Sequence, residues 1–135
     1  MTTHQAVDRV SLMKTVPGGV AGVYLILKKG DPQPLYIGSS GKIGPDLSRS
    51  GSTVKIRLFG ANTPYHFDKK TGVWRHGPTT AGVPPAGYLH DLPIAALTLN
   101  VFAMPHPKSP AVLEHILLQG FINEFGRLPT ANQKI

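Results

Sequence analysis

Residues 21–38 read AGVYLILKKGDPQPLYIG, and this stretch decides the predicted fold. Two apolar segments, 21–28 and 34–38, are too short for a confident helix and are rich in β-branched and aromatic residues. Between them lies KKGDPQP, whose glycine, aspartate and prolines are typical of a turn. The stretch therefore predicts a β-hairpin.

The expected register of this hairpin places its two tyrosines together. Side chains alternate between the faces of a strand, and if the hairpin is antiparallel with an odd number of loop residues, even-numbered positions pair with even-numbered ones. Tyr24 and Tyr36 are therefore expected on one face. The apolar residues expected on the other face are Leu25, Leu27, Leu35 and Ile37.

Helical signals flank the hairpin. Residues 4–14 carry apolar side chains at helical spacing, and residues 54–62 predict a short helix capped by Thr53 or Ser52. The polar segment 41–53 between hairpin and short helix is expected to be a loop. A long helix begins at Ser109-Pro110 and ends at Gly126, with a typical cap residue at each end.

One further strand, 95–103, completes the predicted secondary structure. The fold class is therefore α/β, with a small three-stranded antiparallel sheet flanked by helices. Residues 62–93 show no clear period and are interpreted as a loop insertion, with room for one short hairpin around residues 72–76. The 135 residues fit a single domain, 1–135.

The charge balance indicates the class of partner. Fourteen Lys and Arg against seven Asp and Glu give a net charge of +7, which favours a polyanion such as nucleic acid. A basic protein kept soluble by its charge is the alternative. No apolar run is long enough to span a bilayer and no signal peptide is evident, so we expect no membrane association and a cytoplasmic location.

Several kinds of site are excluded or disfavoured. The absence of cysteine excludes thiolate zinc sites and cysteine nucleophiles. The six histidines show no HExxH or H-x₃-H spacing, which disfavours a histidine-built zinc site. No P-loop motif occurs.

Four residues could carry chemistry, and each has an ordinary structural alternative. Glu114 lies on an apolar helix and needs a cation if buried, although the helix dipole alone also favours a carboxylate there. Tyr24 and Tyr36 could act on a proton if a cation lowers a phenol pKa, or could be ordinary strand tyrosines. Arg57 could clamp a phosphate or lie solvated at the surface, and Lys42 and Lys55 share that alternative.

Taken together, these residues resemble the GIY-YIG nuclease family. Gly22-Val23-Tyr24 is similar to its first motif, with Val for Ile, and Tyr36-Ile37-Gly38 matches its second. Arg57, Glu114 and Asn132 follow in the family's order. The resemblance covers residues 20–60 and 110–132.

This resemblance implies a metal-dependent DNA endonuclease of the restriction, mobile-element, repair or toxin kind. Glu114 would ligate Mg²⁺ (or Mn²⁺), Tyr24 would be the general base, and Tyr36 would orient water or phosphate. Arg57 would stabilise the transition state. Lys42 could lower a phenol pKa, while Gly38 and Asn132 would give structural support. An inactive nucleic-acid-binding module and a basic adaptor are the alternatives.

The chain also departs from the family pattern. The loop before Arg57 is longer, and Ala61 occupies a position where some members carry a histidine, which His66 could replace from the insertion. Basic and aromatic residues of the insertion are candidates for DNA contact, although Trp74 could instead cover the core. With Lys42 and Lys55, the predicted DNA-binding residues are His66, Lys69, Lys70, Trp74 and Arg75. Specificity would come from this loop or from a homodimer, or would be low.

Overall fold

The computed structural model describes residues 1–51, 53–59, 66–68, 73–75 and 94–132. The chain is mixed α/β, with three α-helices among its described strands. In chain order they are β1 (Thr2–His4), α1 (Arg9–Thr15), β2 (Gly22–Lys28), β3 (Pro34–Ser40), β4 (Lys42–Ile43), β5 (Arg49–Ser50), α2 (Val54–Phe59), β6 (His66–Asp68), β7 (Val73–Arg75), β8 (Leu97–Ala103) and α3 (Pro110–Phe125).

The main sheet is antiparallel, and its strand order is β1-β8-β2-β3. The predicted hairpin and the third strand are confirmed as β2–β3 and β8. The expectation of three strands is wrong, because Thr2–His4 pairs with Leu99–Val101 of β8 and adds a fourth. The predicted helix from residue 4 begins only at Arg9, since Asp8 caps it by accepting a hydrogen bond from the Ser11 amide at 2.8 Å.

The two faces of the sheet carry different cores. On one face, α1, α2 and the two tyrosines form what we call the tyrosine-face core: Leu12, Val16, Tyr24, Ile26, Tyr36, Val54, Leu58, Phe59, Leu97, Leu99 and Val101. On the other face, α3 covers a smaller set of buried residues, the α3-face core: Val23, Ile37 and Leu118. The helices therefore enclose the sheet from both sides.

The β2–β3 register places the two tyrosines on the predicted common face. Tyr24 lies opposite Gly38 and Ile26 opposite Tyr36, so even-numbered residues pair. The register then shifts between Ile26 and Leu27. The expectation for Leu35 is wrong, because this residue near the irregularity packs against the tyrosine-face core.

Close approach explains the glycine of each motif. A Cβ on Gly22 would lie 2.0 Å from the carbonyl oxygen of Phe102 on the neighbouring strand β8. A Cβ on Gly38 would lie 2.6 Å from Cζ of Tyr24. Any side chain at either position would displace backbone or the tyrosine ring, so only glycine fits.

The predicted loop 41–53 contains regular structure. Strands β4 and β5 pair antiparallel, with Lys42 opposite Ser50, and form a small hairpin over residues 41–51 that we call the side hairpin. The Arg49 guanidinium fastens it to the segment before α3 by donating to the carbonyl oxygens of Met104 at 2.9 Å and Lys108 at 3.2 Å. The pattern hides this hairpin because its two-residue strands are too short to show alternation.

Both predicted helices after the hairpin are present. At the start of α2 the Thr53 hydroxyl accepts from the Ile56 amide at 3.3 Å, and residues 60–62 of the predicted helix lie outside the described residues. Helix α3 follows Ser109 and ends at Gly126, whose φ of 71° is left-handed and whose N–H bonds the Ile122 carbonyl.

Part of the insertion 62–93 is described. Strands β6 and β7 form a two-stranded hairpin, with Phe67 opposite Trp74, close to the predicted hairpin at 72–76. The remaining residues of the insertion up to residue 93 lie outside the described part of the chain. Among the described helices, none is long and apolar enough to cross a membrane.

Candidate active site

A cavity of about 390 Å³ opens where β3 passes into the side hairpin and α3 begins. The four side chains predicted from sequence to carry chemistry all line it, together with Lys42, to which the family resemblance assigns a supporting role. Its lining residues are Tyr24, Tyr36, Ser39, Ser40, Gly41, Lys42, Gly51, Arg57, Ala111 and Glu114. The structure thus brings together residues from β2, β3, the side hairpin, α2 and α3.

The two tyrosines form the floor of the cavity. Their rings stack with centroids 6.1 Å apart and an angle of 24° between the planes. Tyr24 is 3% exposed and Tyr36 is 9% exposed, so Tyr36 is the less enclosed of the two. Their contact follows from the hairpin register, which makes them diagonal neighbours on one face.

The surroundings of the tyrosines keep both phenols protonated near neutral pH. Burial raises the pKa of Tyr24, and the neighbouring Tyr36 and Glu114 add to the increase, whereas the charge and a hydrogen bond of Arg57 oppose it. Burial also raises the pKa of Tyr36, with Arg57 and a hydrogen bond to Tyr24 opposing and Glu114 adding. Among the described residues, Arg57 rather than Lys42 is therefore the cation that lowers either pKa.

Glu114 enters the cavity from the α3 side of the sheet. It is half-buried in the second turn of α3, past the first turn in which the helix dipole favours a carboxylate. The Ser39 hydroxyl donates a hydrogen bond to its Oε2 atom. Ser39 was not singled out from the sequence, although its odd number places it on the Ile37 face of β3, toward α3.

Arg57 and Lys42 are exposed cations at the rim of the cavity. Arg57 is held there because α2 starts directly after the side hairpin, with the Val54 amide bonded to the Val20 carbonyl at 2.8 Å. Lys42 lies in β4 of the side hairpin. Lys55 is half-buried and does not line the cavity, so the structure does not group it with Arg57 and Lys42.

Asn132 lies behind the cavity and supports strand β3. Its side chain accepts from the Ile37 amide and donates to the Ile37 carbonyl, both at 2.9 Å. The Ala131 amide also bonds the Leu35 carbonyl at 2.8 Å. The tail thus pairs with the edge of β3 at Leu35 and Ile37, and Asn132 does not line the cavity.

The structure does not describe the side chains of the predicted DNA-contacting residues in the insertion. Lys69 and Lys70 lie outside the described residues. So does Ala61, at the position where some family members carry a histidine. For His66, Trp74 and Arg75 the structure describes only their place in β6 and β7. Their predicted role remains a prediction.

The donor set of the cavity suits a hard, hydrated cation. Among the described residues, no cluster of three or more His, Cys, Asp or Glu side chains could hold a metal. The lining instead offers the Glu114 carboxylate with the hydroxyl side chains of Ser39 and Ser40. Such a set fits Mg²⁺ or Mn²⁺, which bind oxygen and keep several waters, and does not fit zinc.

Comparison with known proteins adds no relative, since no protein-family model, curated protein or solved structure matches the chain. The function therefore has to be argued from the residues and their geometry.

Proposed function

We propose that the protein is a metal-dependent endonuclease of the GIY-YIG type that hydrolyses phosphodiester bonds in DNA. One observation carries the proposal: Tyr24, Tyr36, Arg57 and Glu114 line a single cavity. They come from four separate elements and span 91 positions of sequence, from 24 to 114. An arrangement of phenols, guanidinium and carboxylate around one space is what an assisted attack on a phosphate requires.

The charges of the cavity support a phosphodiester as the substrate. Arg57 and Lys42 place two cations at the rim, where they attract and hold a phosphate group. Arg57 is also placed to stabilise the extra charge that phosphorus gains during attack. The net charge of +7 supports a polyanionic substrate more generally.

The position of Glu114 supports cleavage over simple binding. A carboxylate in a phosphate-binding cavity repels the ligand unless a cation lies between them. Bound at Glu114, Mg²⁺ or Mn²⁺ would supply charge neutralisation at the phosphoryl and leaving oxygens. An inactive binding module would gain affinity by losing this carboxylate, so its presence favours the nuclease.

The tyrosines fit best as hydrogen-bonding groups that orient water and phosphate. Because burial raises both pKa values, the phenols are protonated near neutral pH and can donate as well as accept. The general-base role predicted for Tyr24 would depend on Arg57, the cation that lowers its pKa. Tyr36, being less buried, is the better placed to touch the attacking water.

The test is cleavage of supercoiled plasmid DNA with Mg²⁺, with Mn²⁺ and with EDTA. Wild type is compared with Glu114→Ala and with Glu124→Ala, a matched control because Glu124 is exposed on the same helix and does not line the cavity. We expect metal-dependent cleavage that Glu114→Ala lowers by roughly 10²–10³-fold or more, the cost of removing one group that stabilises transition-state charge. Glu124→Ala should cleave like wild type.

Three results would change this proposal. Wild-type binding to DNA with no cleavage of DNA or RNA would favour the inactive binding module. Cleavage that survives Glu114→Ala would remove the carboxylate from the site. Cleavage of RNA alone would keep the chemistry and change the substrate.

A further inference from the structure

A hydrogen bond joins strand β3 to the carboxylate of the cavity. Ser39 donates its hydroxyl to Oε2 of Glu114, although the two residues are 75 positions apart in sequence. Ser39 belongs to the α3 side of the sheet, whereas the tyrosines lie on the opposite side. This bond is therefore a contact that ties Glu114 to the β2–β3 hairpin and its tyrosines.

The donor is held by a rigid part of the fold. Ser39 lies opposite Val23 in the β2–β3 register, one residue after the tightly enclosed Gly38. Ile37 lies two residues before Ser39, and Asn132 of the tail binds both of its backbone groups. A short serine side chain on such a strand has little freedom, so its hydroxyl can fix a longer and more flexible glutamate.

The hydrogen bond also makes the two carboxylate oxygens of Glu114 unequal. Oε2 of Glu114 is occupied by Ser39, which leaves Oε1 without that bond. A hydrated Mg²⁺ ion needs only one or two protein oxygens and binds them with strict geometry. A ligand oriented in advance by a neighbouring donor binds the ion more tightly than a free one.

We infer that Ser39 is a positioning residue, which holds Oε2 of Glu114 so that Oε1 serves as a single-oxygen ligand for a divalent cation in the cavity. The inference rests on the proposed function. It adds that metal affinity is set by strand β3 as well as by the carboxylate on α3. Serine at this position follows the YIG motif directly, at residue 39.

The experiment measures metal binding directly, without activity. Full-length ¹⁵N-labelled protein is titrated with Mn²⁺, and paramagnetic broadening of amide signals is followed around residues 38–40 and 111–115. The variants are Ser39→Ala, Ser39→Thr, Glu114→Ala and Ser50→Ala. Ser50 is the matched control, because it is an exposed strand serine that does not line the cavity.

We expect Ser39→Ala to raise the Mn²⁺ concentration for half-maximal broadening about tenfold or more, the usual cost of losing a group that orients a metal ligand. Ser39→Thr keeps the hydroxyl and should restore binding, and Ser50→Ala should match wild type. The Mg²⁺ concentration for half-maximal plasmid cleavage should rise in parallel. Amide dispersion and thermal unfolding verify that each variant is folded.

Different results separate the two proposals. If wild type shows local broadening that Glu114→Ala abolishes but Ser39→Ala leaves unchanged, the role of Ser39 is overturned and the metal site stands. The role is also overturned if Ser39→Thr binds as weakly as Ser39→Ala. If wild type and Glu114→Ala broaden alike, both the metal site and the role of Ser39 fail.

Discussion

The two faces of the main sheet differ in how deeply they bury their residues. Among the residues that the structure describes, the tyrosine-face core contains eleven buried ones, contributed by β2, β3, β8, α1, the residue after α1, and α2. The α3-face core contains three, and the other residues packed against it are only partly buried. On α3 itself, the apolar side chains of Val112 and Ile116 are 59% and 61% exposed. Stability should therefore depend chiefly on the tyrosine face.

The proposed chemistry draws on both faces and so inherits this difference. The two tyrosines belong to the deep core, where any change affects folding as well as activity. Glu114 and Ser39 belong to the shallower face, where a side chain can be altered at lower cost to the fold. Substitutions at Glu114 and Ser39 are thus the cleaner tests of function, and substitutions at Tyr24 or Tyr36 need a stability control.

The same substitution on each face tests the comparison most strongly. Leu58→Ala removes a side chain that is 1% exposed in the tyrosine-face core and should lower the free energy of unfolding by about 2–5 kcal/mol. Leu117→Ala removes a partly buried side chain of the α3 face and should cost about 1 kcal/mol. Urea unfolding measures both. Equal losses would show that the faces contribute alike.

A smaller effect is expected where the C-terminal tail binds β3. Asn132→Ala removes two hydrogen bonds to the Ile37 backbone and should lower the free energy of unfolding by roughly 1–3 kcal/mol. Asn123→Ala is the control, because Asn123 is exposed on α3 and accepts a hydrogen bond from Gln119 on the same helix. Urea unfolding of both variants measures the two losses in the free energy of unfolding. A loss for Asn132→Ala no greater than that for Asn123→Ala would make the tail contact unimportant.

The smallest effect on the free energy of unfolding near neutral pH is expected from ionisation of the tyrosines, which matters only at high pH. The folded-state pKa values of Tyr24 and Tyr36 lie above the ordinary value, so the unfolded chain loses their protons first. Their contribution is fully present below about pH 10, the ordinary tyrosine pKa, and is lost as pH rises further. Urea unfolding between pH 8 and 11 should show this decline, and Tyr24→Phe should reduce it. An identical decline in Tyr24→Phe would contradict the raised pKa.

Much of the fold could be predicted because strong local signals specify it. The turn chemistry of KKGDPQP, the apolar strands around it and the Ser109-Pro110 start of α3 each act over a few neighbouring residues. The expected pairing of even-numbered positions placed Tyr24 and Tyr36 on one face, although the structure reaches that pairing only through the register shift between Ile26 and Leu27. The convergence of Arg57 and Glu114 with them was expected only from the family resemblance, since no local rule specifies it.

The features that were missed are short or depend on distant partners. Strand β1 has three residues, two of them threonine, and it exists because β8 offers an edge for pairing. The side hairpin is fastened by Arg49 to carbonyl groups more than fifty positions away. Ser39 gained a role only through Glu114. None of these residues carries a pattern that a short window of sequence could detect.

By itself, the sequence determined the hairpin, the long capped helix, the common face of the tyrosines and the basic charge. These properties depend on residue type and short spacing, which the chain carries with it before it folds. Only the tertiary structure decided the fourth strand, the unequal depth of the two cores, the raised pKa values and the pairing of Ser39 with Glu114. The physical reason is that burial and hydrogen-bond partners arise from packing between distant segments, and a pKa or an oriented carboxylate depends on those neighbours.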